Sequence, residues 1–103
     1  MQKYLIERTA PGAGRLSPEE LVAMSQTSCA ALRELGFDIQ WVQSFVTADK
    51  ITCVYLAPDA ETIRRHAEIA GFPCDHAEPI AAVIDPGTAG GALWVALPAT
   101  VAA

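Results

Sequence analysis

The chain has 103 residues, a length that suits one domain. Its composition, 51% hydrophobic and 18% charged residues, excludes intrinsic disorder. Twelve acidic against seven basic side chains give a net charge of −5, and no basic cluster exceeds Arg64-Arg65. Nucleic acid and an anionic membrane surface are therefore not expected as partners.

The first half of the chain predicts a strand and a helix. Residues 2–8 alternate as a strand does, and residues 10–14 break regular structure. A helix should begin after Ser17, because Ser17 and Glu20 have the spacing of a capping box with a proline between them. Its apolar stripe ends at Gly36.

The second half predicts two strands, a helix and a further strand. The two strands cover residues 39–47 and 51–57, with a short hairpin loop between them. A second helix follows Asp59 as N-cap and stops at Gly71. A fourth strand is expected at roughly 78–84.

The order β-α-β-β-α-β predicts an α+β, ferredoxin-like sandwich: a four-stranded antiparallel sheet with both helices on one face. Residues 1–86 would form this domain. Residues 87–103 are an apolar, Gly/Ala-rich C-terminal tail in which 92–97 is a candidate extra strand.

The hairpin predicts a homodimer. If Val46 pairs with Ile51, neither face of the hairpin has the polar pattern of a solvent-facing surface. One face would carry Trp41, Gln43, Phe45, Thr52, Val54 and Leu56, and the other Val42, Ser44, Val46, Ile51, Cys53 and Tyr55. Two helices cover one face only, so a second copy is expected on the other, with the tail as the alternative cover.

Cysteine usage and the two chain ends indicate a cytoplasmic protein. Three cysteines without a CxxC pair form neither a secreted disulfide framework nor a four-thiolate zinc site. Charged residues follow too soon after the N-terminus for the apolar core of a signal peptide. The uncharged run 86–103 contains too many glycines and prolines for a membrane helix.

Metal ligands are the best candidates for chemistry, since no catalytic motif is evident and enzyme activity stays open. Cys74 and His76 flank an aspartate in one predicted loop and are candidate ligands. The alternative is an ordinary polar loop without a metal. His66 lies near the buried stripe of the second helix, and Cys53 lies mid-strand; the alternatives are a hydrogen-bonded core histidine and a small hydrophobe. Thiolate and imidazole suit nickel or another divalent transition metal.

A pocket or interface is the alternative site. Trp41, Gln43, Phe45 and Tyr55 combine aromatic area with an uncharged amide that needs partners. This set favours a small-molecule-binding protein or a cofactor-free enzyme of the dimeric ferredoxin-like kind, with His66 as acid or base. A third hypothesis is an interaction module whose tail around Trp94 docks on another chain.

The chain resembles a family of small bacterial ferredoxin-like proteins, long of unknown function, whose named member is a nickel-binding protein. The shared stretches are residues 4–8, 11–14, 16–21, 39–47, 49–50, 53–55, 63–67, 71–73 and 84–86. The resemblance implies a homodimer and nickel binding, with His66 and Cys53 matching the family's histidine and cysteine. The family often has a histidine where this chain has Gln43, a far poorer nickel ligand.

Overall fold

The computed structural model describes residues 1–36 and 38–96. Its elements in chain order are β1 (Gln2–Thr9), α1 (Pro18–Leu35), β2 (Gln40–Val46), β3 (Lys50–Ala57), α2 (Ala60–Ala70), β4 (His76–Pro79), β5 (Ala82–Val83) and β6 (Trp94–Val95). Strands β1 to β4 form an antiparallel sheet in the spatial order β2-β3-β1-β4. Two helices on this sheet confirm the predicted ferredoxin-like α+β fold. Within the described ranges, no helix is long and apolar enough to cross a membrane.

Both helices begin at the predicted caps. The Ser17 hydroxyl accepts a hydrogen bond from the Glu20 amide at 3.1 Å, and the Glu20 carboxylate accepts one from the Ser17 amide at 2.9 Å. The Asp59 carboxylate accepts a bond from the Thr62 amide at 2.8 Å. These acceptors satisfy amides that a helix start leaves without partners. Gly71 ends α2 in the left-handed conformation that glycine adopts without strain.

The core lies between the helices and one face of the sheet, here called the covered face. Alternate residues of β1 and β3 point into it, because successive side chains of a strand alternate between faces. The buried side chains on these strands and helices are Tyr4, Ile6 and Arg8 on β1, Ile51, Cys53, Tyr55 and Ala57 on β3, Ser28 and Ala31 on α1, and Ile63, His66 and Ala67 on α2.

A β-bulge in β2 changes the predicted face of one aromatic residue. Gln43 pairs with Val54, but Trp41 pairs with Tyr55, so Val42 is an extra residue. Trp41 therefore shares the covered face with Tyr55, and its grouping with Gln43 and Phe45 on one face was wrong. The indole Nε1 donates a hydrogen bond to the Ser44 hydroxyl at 2.9 Å.

The fourth strand is earlier and shorter than predicted. His76–Pro79 pairs with β1, and the Ile80 amide donates the last bond to the Lys3 carbonyl at 2.8 Å. The chain then leaves the main sheet, and β5 pairs instead with β6 in a separate two-stranded sheet. Trp94 of β6 lies under the Lys3 ammonium, 4.3 Å from ring centroid to nitrogen. Leu97 and the rest of the tail lie outside the described residues.

The other face, here called the open face, is chemically mixed. It carries Leu5 and Glu7 of β1, Phe45 of β2, Val54 of β3 and His76 of β4. Phe45 is 52% exposed and Leu5 is 37% exposed. An exposed aromatic ring and charged groups therefore share one surface.

Candidate functional site

A cavity of about 250 Å³ lies between α1 and the covered face of the sheet. Its wall is mainly apolar, with polar groups contributed by β1, α1 and β3. The apolar side chains include Leu21, Met24, Trp41, Val46, Ile51 and Phe72, and the polar ones include Arg8, Ser25, Ser28, Ser44 and Tyr55. An apolar chamber with a few polar groups is the usual form of a small-ligand site.

Arg8 brings a buried positive charge to the cavity wall. Strand alternation puts it on the covered face after Tyr4 and Ile6, and only 3% of its surface is exposed. Its Nη1 donates a hydrogen bond to the Pro73 carbonyl, and the guanidinium carbon lies 5.8 Å from the centroid of the Phe72 ring. Its Nη2 is buried and has no hydrogen-bond partner among the described residues. Such a nitrogen is costly to bury unless something else binds it.

His66 is completely buried where α2 packs against α1 and the sheet. Its Nε2 lies 3.3 Å from both the hydroxyl and the carbonyl oxygen of Ser28, and its ring lies 5.3 Å from the ring of Tyr55 between centroids. Burial lowers the pKa of His66 below 6.5, and the Arg8 charge adds to this effect. A neutral imidazole that donates from Nε2 to the carbonyl has a lone pair on Nδ1. That Nδ1 is buried without a partner in the described chain.

Tyr55 lies between Arg8 of β1 and His66 of α2. Burial raises the pKa of Tyr55, and hydrogen bonding by Ser28 together with the nearby Arg8 guanidinium opposes this in part. Its phenol is therefore neutral at pH 7 and lies near both groups. Arg8, Ser28 and Tyr55 thus cluster at one end of a mainly apolar cavity.

The four predicted metal ligands do not meet in one chain. Cys53 and His66 are buried on the covered side, and Cys74 is half-buried against the core. His76 is exposed on the open face, opposite Glu7. Across residues 1–36 and 38–96, no three His, Cys, Asp or Glu side chains are grouped so that they could hold a metal ion. The donors of one chain therefore fit a nickel ion only in part.

The loop before β4 has a structural role, and it holds Cys74 but not His76, which begins β4, so the prediction that both lie in one loop was wrong. The carboxylate of Asp75 accepts a hydrogen bond from the Thr9 amide at 2.5 Å, and the Asp75 amide donates to the Glu7 carbonyl at 3.0 Å. The bond from Thr9 lowers the pKa of Asp75. These bonds fasten the loop to the end of β1.

The predicted pocket residues separate into two pairs. Trp41 and Tyr55 line the cavity, whereas Gln43 and Phe45 lie on the open face. Arg8 was missed as a site residue. Its signal was available, because a strand that buries Tyr4 and Ile6 must also direct Arg8 inward.

Comparisons with known proteins agree with the fold. The crystal structure of SCO4226 from Streptomyces coelicolor A3(2) is similar, with a TM-score of 0.68 at 17% sequence identity; the match covers 80% of this chain and 99% of that one. No curated protein sequence matches the chain. A family model described as nickel responsive protein SCO4226-like matches residues 4–80. The chain therefore belongs to the SCO4226-like family of nickel responsive proteins.

Proposed function

We propose that this protein binds nickel or another divalent transition metal, and that His66 supplies one ligand. The observation that carries the proposal is the buried Nδ1 of His66, which has no partner among the described residues. The description of the family as nickel responsive supports the choice of metal. Imidazole is a good nickel ligand, and a hydrogen bond from the other ring nitrogen to a carbonyl is a common way of orienting it.

The remaining ligands have to come partly from outside one chain. A firm site generally takes about four donors, and Cys53 is the second candidate on the covered side. Gln43 lies on the open face, so it is not a neighbour of His66. Water or a second copy of the chain would complete the coordination.

A homodimer and a cytoplasmic location belong to the same proposal. Phe45 and Leu5 on the open face would be covered by a second copy, which removes apolar surface from water. Cys29, Cys53 and Cys74 are all free thiols, which suits a reducing compartment.

Titration calorimetry of the chelator-stripped protein with Ni²⁺, Zn²⁺, Co²⁺ and Cu²⁺ tests the metal proposal. We expect stoichiometric binding by the wild type and its loss in His66→Gln. The glutamine amide can still donate to Ser28 but has no counterpart of Nδ1. His76→Gln, which removes the other histidine of the chain, is the matched control and should bind normally.

Each other result of the titration is informative. Unchanged binding in His66→Gln contradicts the role of His66. Loss in His76→Gln alone would move the site to the open face. An absence of binding by all four metals contradicts the metal function.

A second candidate function is the binding of a small organic molecule, and the cavity favours it. A cavity of about 150 Å³ holds benzene in other proteins, and this one has about 250 Å³ beside Trp41. A ligand in it should change the emission of Trp41. Ser25→Phe would fill the same space and abolish the change, since Ser25 lines the cavity and its hydroxyl donates to the Leu21 carbonyl of its own helix.

A further inference from the structure

We propose that the cavity takes a small carboxylic acid with an apolar body, and that Arg8 holds its carboxylate. The proposal rests on the second candidate function, ligand binding in the cavity, and adds the chemical class of the ligand and the residue that selects it.

The charge of Arg8 is the first step. A guanidinium that is 3% exposed has lost nearly all contact with water, and such a group is normally paired with a carboxylate. The salt bridge found among the described residues joins Lys50 and Glu7 instead, on the open face. The Asp75 carboxylate accepts the hydrogen bond from the Thr9 amide, which is the main cause of its lowered pKa, and the Arg8 charge contributes less. Among residues 1–36 and 38–96, the covered face therefore has a buried cation without a paired anion.

The geometry of the hydrogen bonds is the second step. Nη1 of Arg8 is occupied by the Pro73 carbonyl, whereas Nη2 is free of partners in the described chain. Arg8 lines the cavity, as do Ser28 and Tyr55, whose hydroxyls are further donors at the same end. One carboxylate oxygen on Nη2 and the other on a hydroxyl would satisfy the charge and the orphaned nitrogen together.

The rest of the cavity determines the body of the ligand. Leu21, Met24 and Trp41 give an apolar wall, which favours a ring or short alkyl chain and disfavours a second charge. Because about 150 Å³ holds benzene, a volume of about 250 Å³ suits one aromatic ring bearing a short acid chain. Phenylacetate is a probe of this size.

Binding of matched acid and amide probes tests the proposal. Phenylacetate and benzoate are compared with phenylacetamide and benzamide by the emission of Trp41 in a Trp94→Phe background, and by ligand-observed NMR. We expect the acids to bind about 10- to 100-fold more tightly than the amides, the usual effect of a hydrogen bond to a charged group. In Arg8→Met this preference should disappear. Arg33→Met, which removes an exposed arginine of α1, is the matched control and should keep it.

The outcomes separate this proposal from the function on which it rests. Equal binding of acids and amides by the wild type overturns the role of Arg8 but leaves the cavity as a ligand site. No binding of any probe, with spectra identical in Ser25→Phe, contradicts both. Circular dichroism checks that Arg8→Met is folded. If it is not, the acid-to-amide ratio in the wild type decides, because that comparison needs no variant.

Discussion

The two faces of the sheet leave different kinds of group unsatisfied. On the covered face most apolar side chains of β1 and β3 are buried, and the buried atoms without a hydrogen-bond partner among the described residues are Nη2 of Arg8 and Nδ1 of His66. On the open face the polar side chains can be hydrated, and the exposed groups without packing partners are apolar, such as Phe45. Water can hydrate the exposed polar groups of the open face, whereas the two buried nitrogens of the covered face need a specific partner. This difference supports the proposal of ligand binding on the covered face and of a second copy on the open face.

Truncation of an aliphatic side chain to alanine should lower the free energy of unfolding much more on the covered face than on the open face. Ile6 is fully buried, so Ile6→Ala should lower the free energy of unfolding by about 2–5 kcal/mol. Leu5→Ala, its neighbour on the open face at 37% exposure, should cost about 1 kcal/mol or less in the isolated chain. Urea denaturation measures both values. Equal losses of unfolding free energy in dilute protein would contradict the distinction between the faces. A loss for Leu5→Ala that grows with protein concentration would indicate a contact with a second copy.

A charge placed on the open face should separate a homodimer. Phe45→Asp and Val54→Asp put carboxylates where the proposed second copy would pack, and a buried unpaired charge is strongly unfavourable. We expect the wild type to sediment as a dimer and these variants as monomers. Val22→Asp, at a 56% exposed position on α1, is the control and should remain dimeric. A monomeric wild type would contradict the assembly.

The bulge in β2 should be dispensable for the position of Trp41. Val42 is the extra residue, so its deletion leaves Trp41 opposite Tyr55 on the covered face and Gln43 opposite Val54 on the open face. In a Trp94→Phe background we expect unshifted tryptophan emission and little change in the free energy of unfolding, because Val42 is 51% exposed. A red-shifted emission would mean that the bulge itself holds the indole in place.

Local signals in the sequence predicted most of the fold, whereas the site depends on packing between elements. The capping interactions of Ser17 and Asp59 are made within one turn, so their spacing was enough to locate both helices. The bulge at Val42 could not be read in the same way, because an extra residue in a strand is fixed by what the indole packs against. Likewise, the pairing register with β1 puts Cys53 opposite Ile6 and His76 opposite Glu7, and so on opposite faces of the sheet.

The pH dependence of stability should distinguish the two histidines in chelator-treated protein. His66 has a folded-state pKa below its value of 6.5 in the unfolded chain, because burial disfavours the charged imidazole and Arg8 adds repulsion. The unfolded chain therefore binds a proton that the folded chain refuses, and the free energy of unfolding should fall as pH drops below 6.5. Ser28 and Tyr55, the other polar groups at the ring, stay neutral in this range.

Urea denaturation between pH 7.5 and 5.0 measures this slope, above the range in which the lowered pKa values of Asp59 and Asp75 become important. His66→Gln should flatten it, since glutamine does not titrate, while His76→Gln on the open face should leave it in place. A slope that survives His66→Gln would mean that the buried imidazole is not held neutral. The argument that its Nδ1 lone pair awaits a metal would then fail as well, because a protonated imidazole has no lone pair to donate.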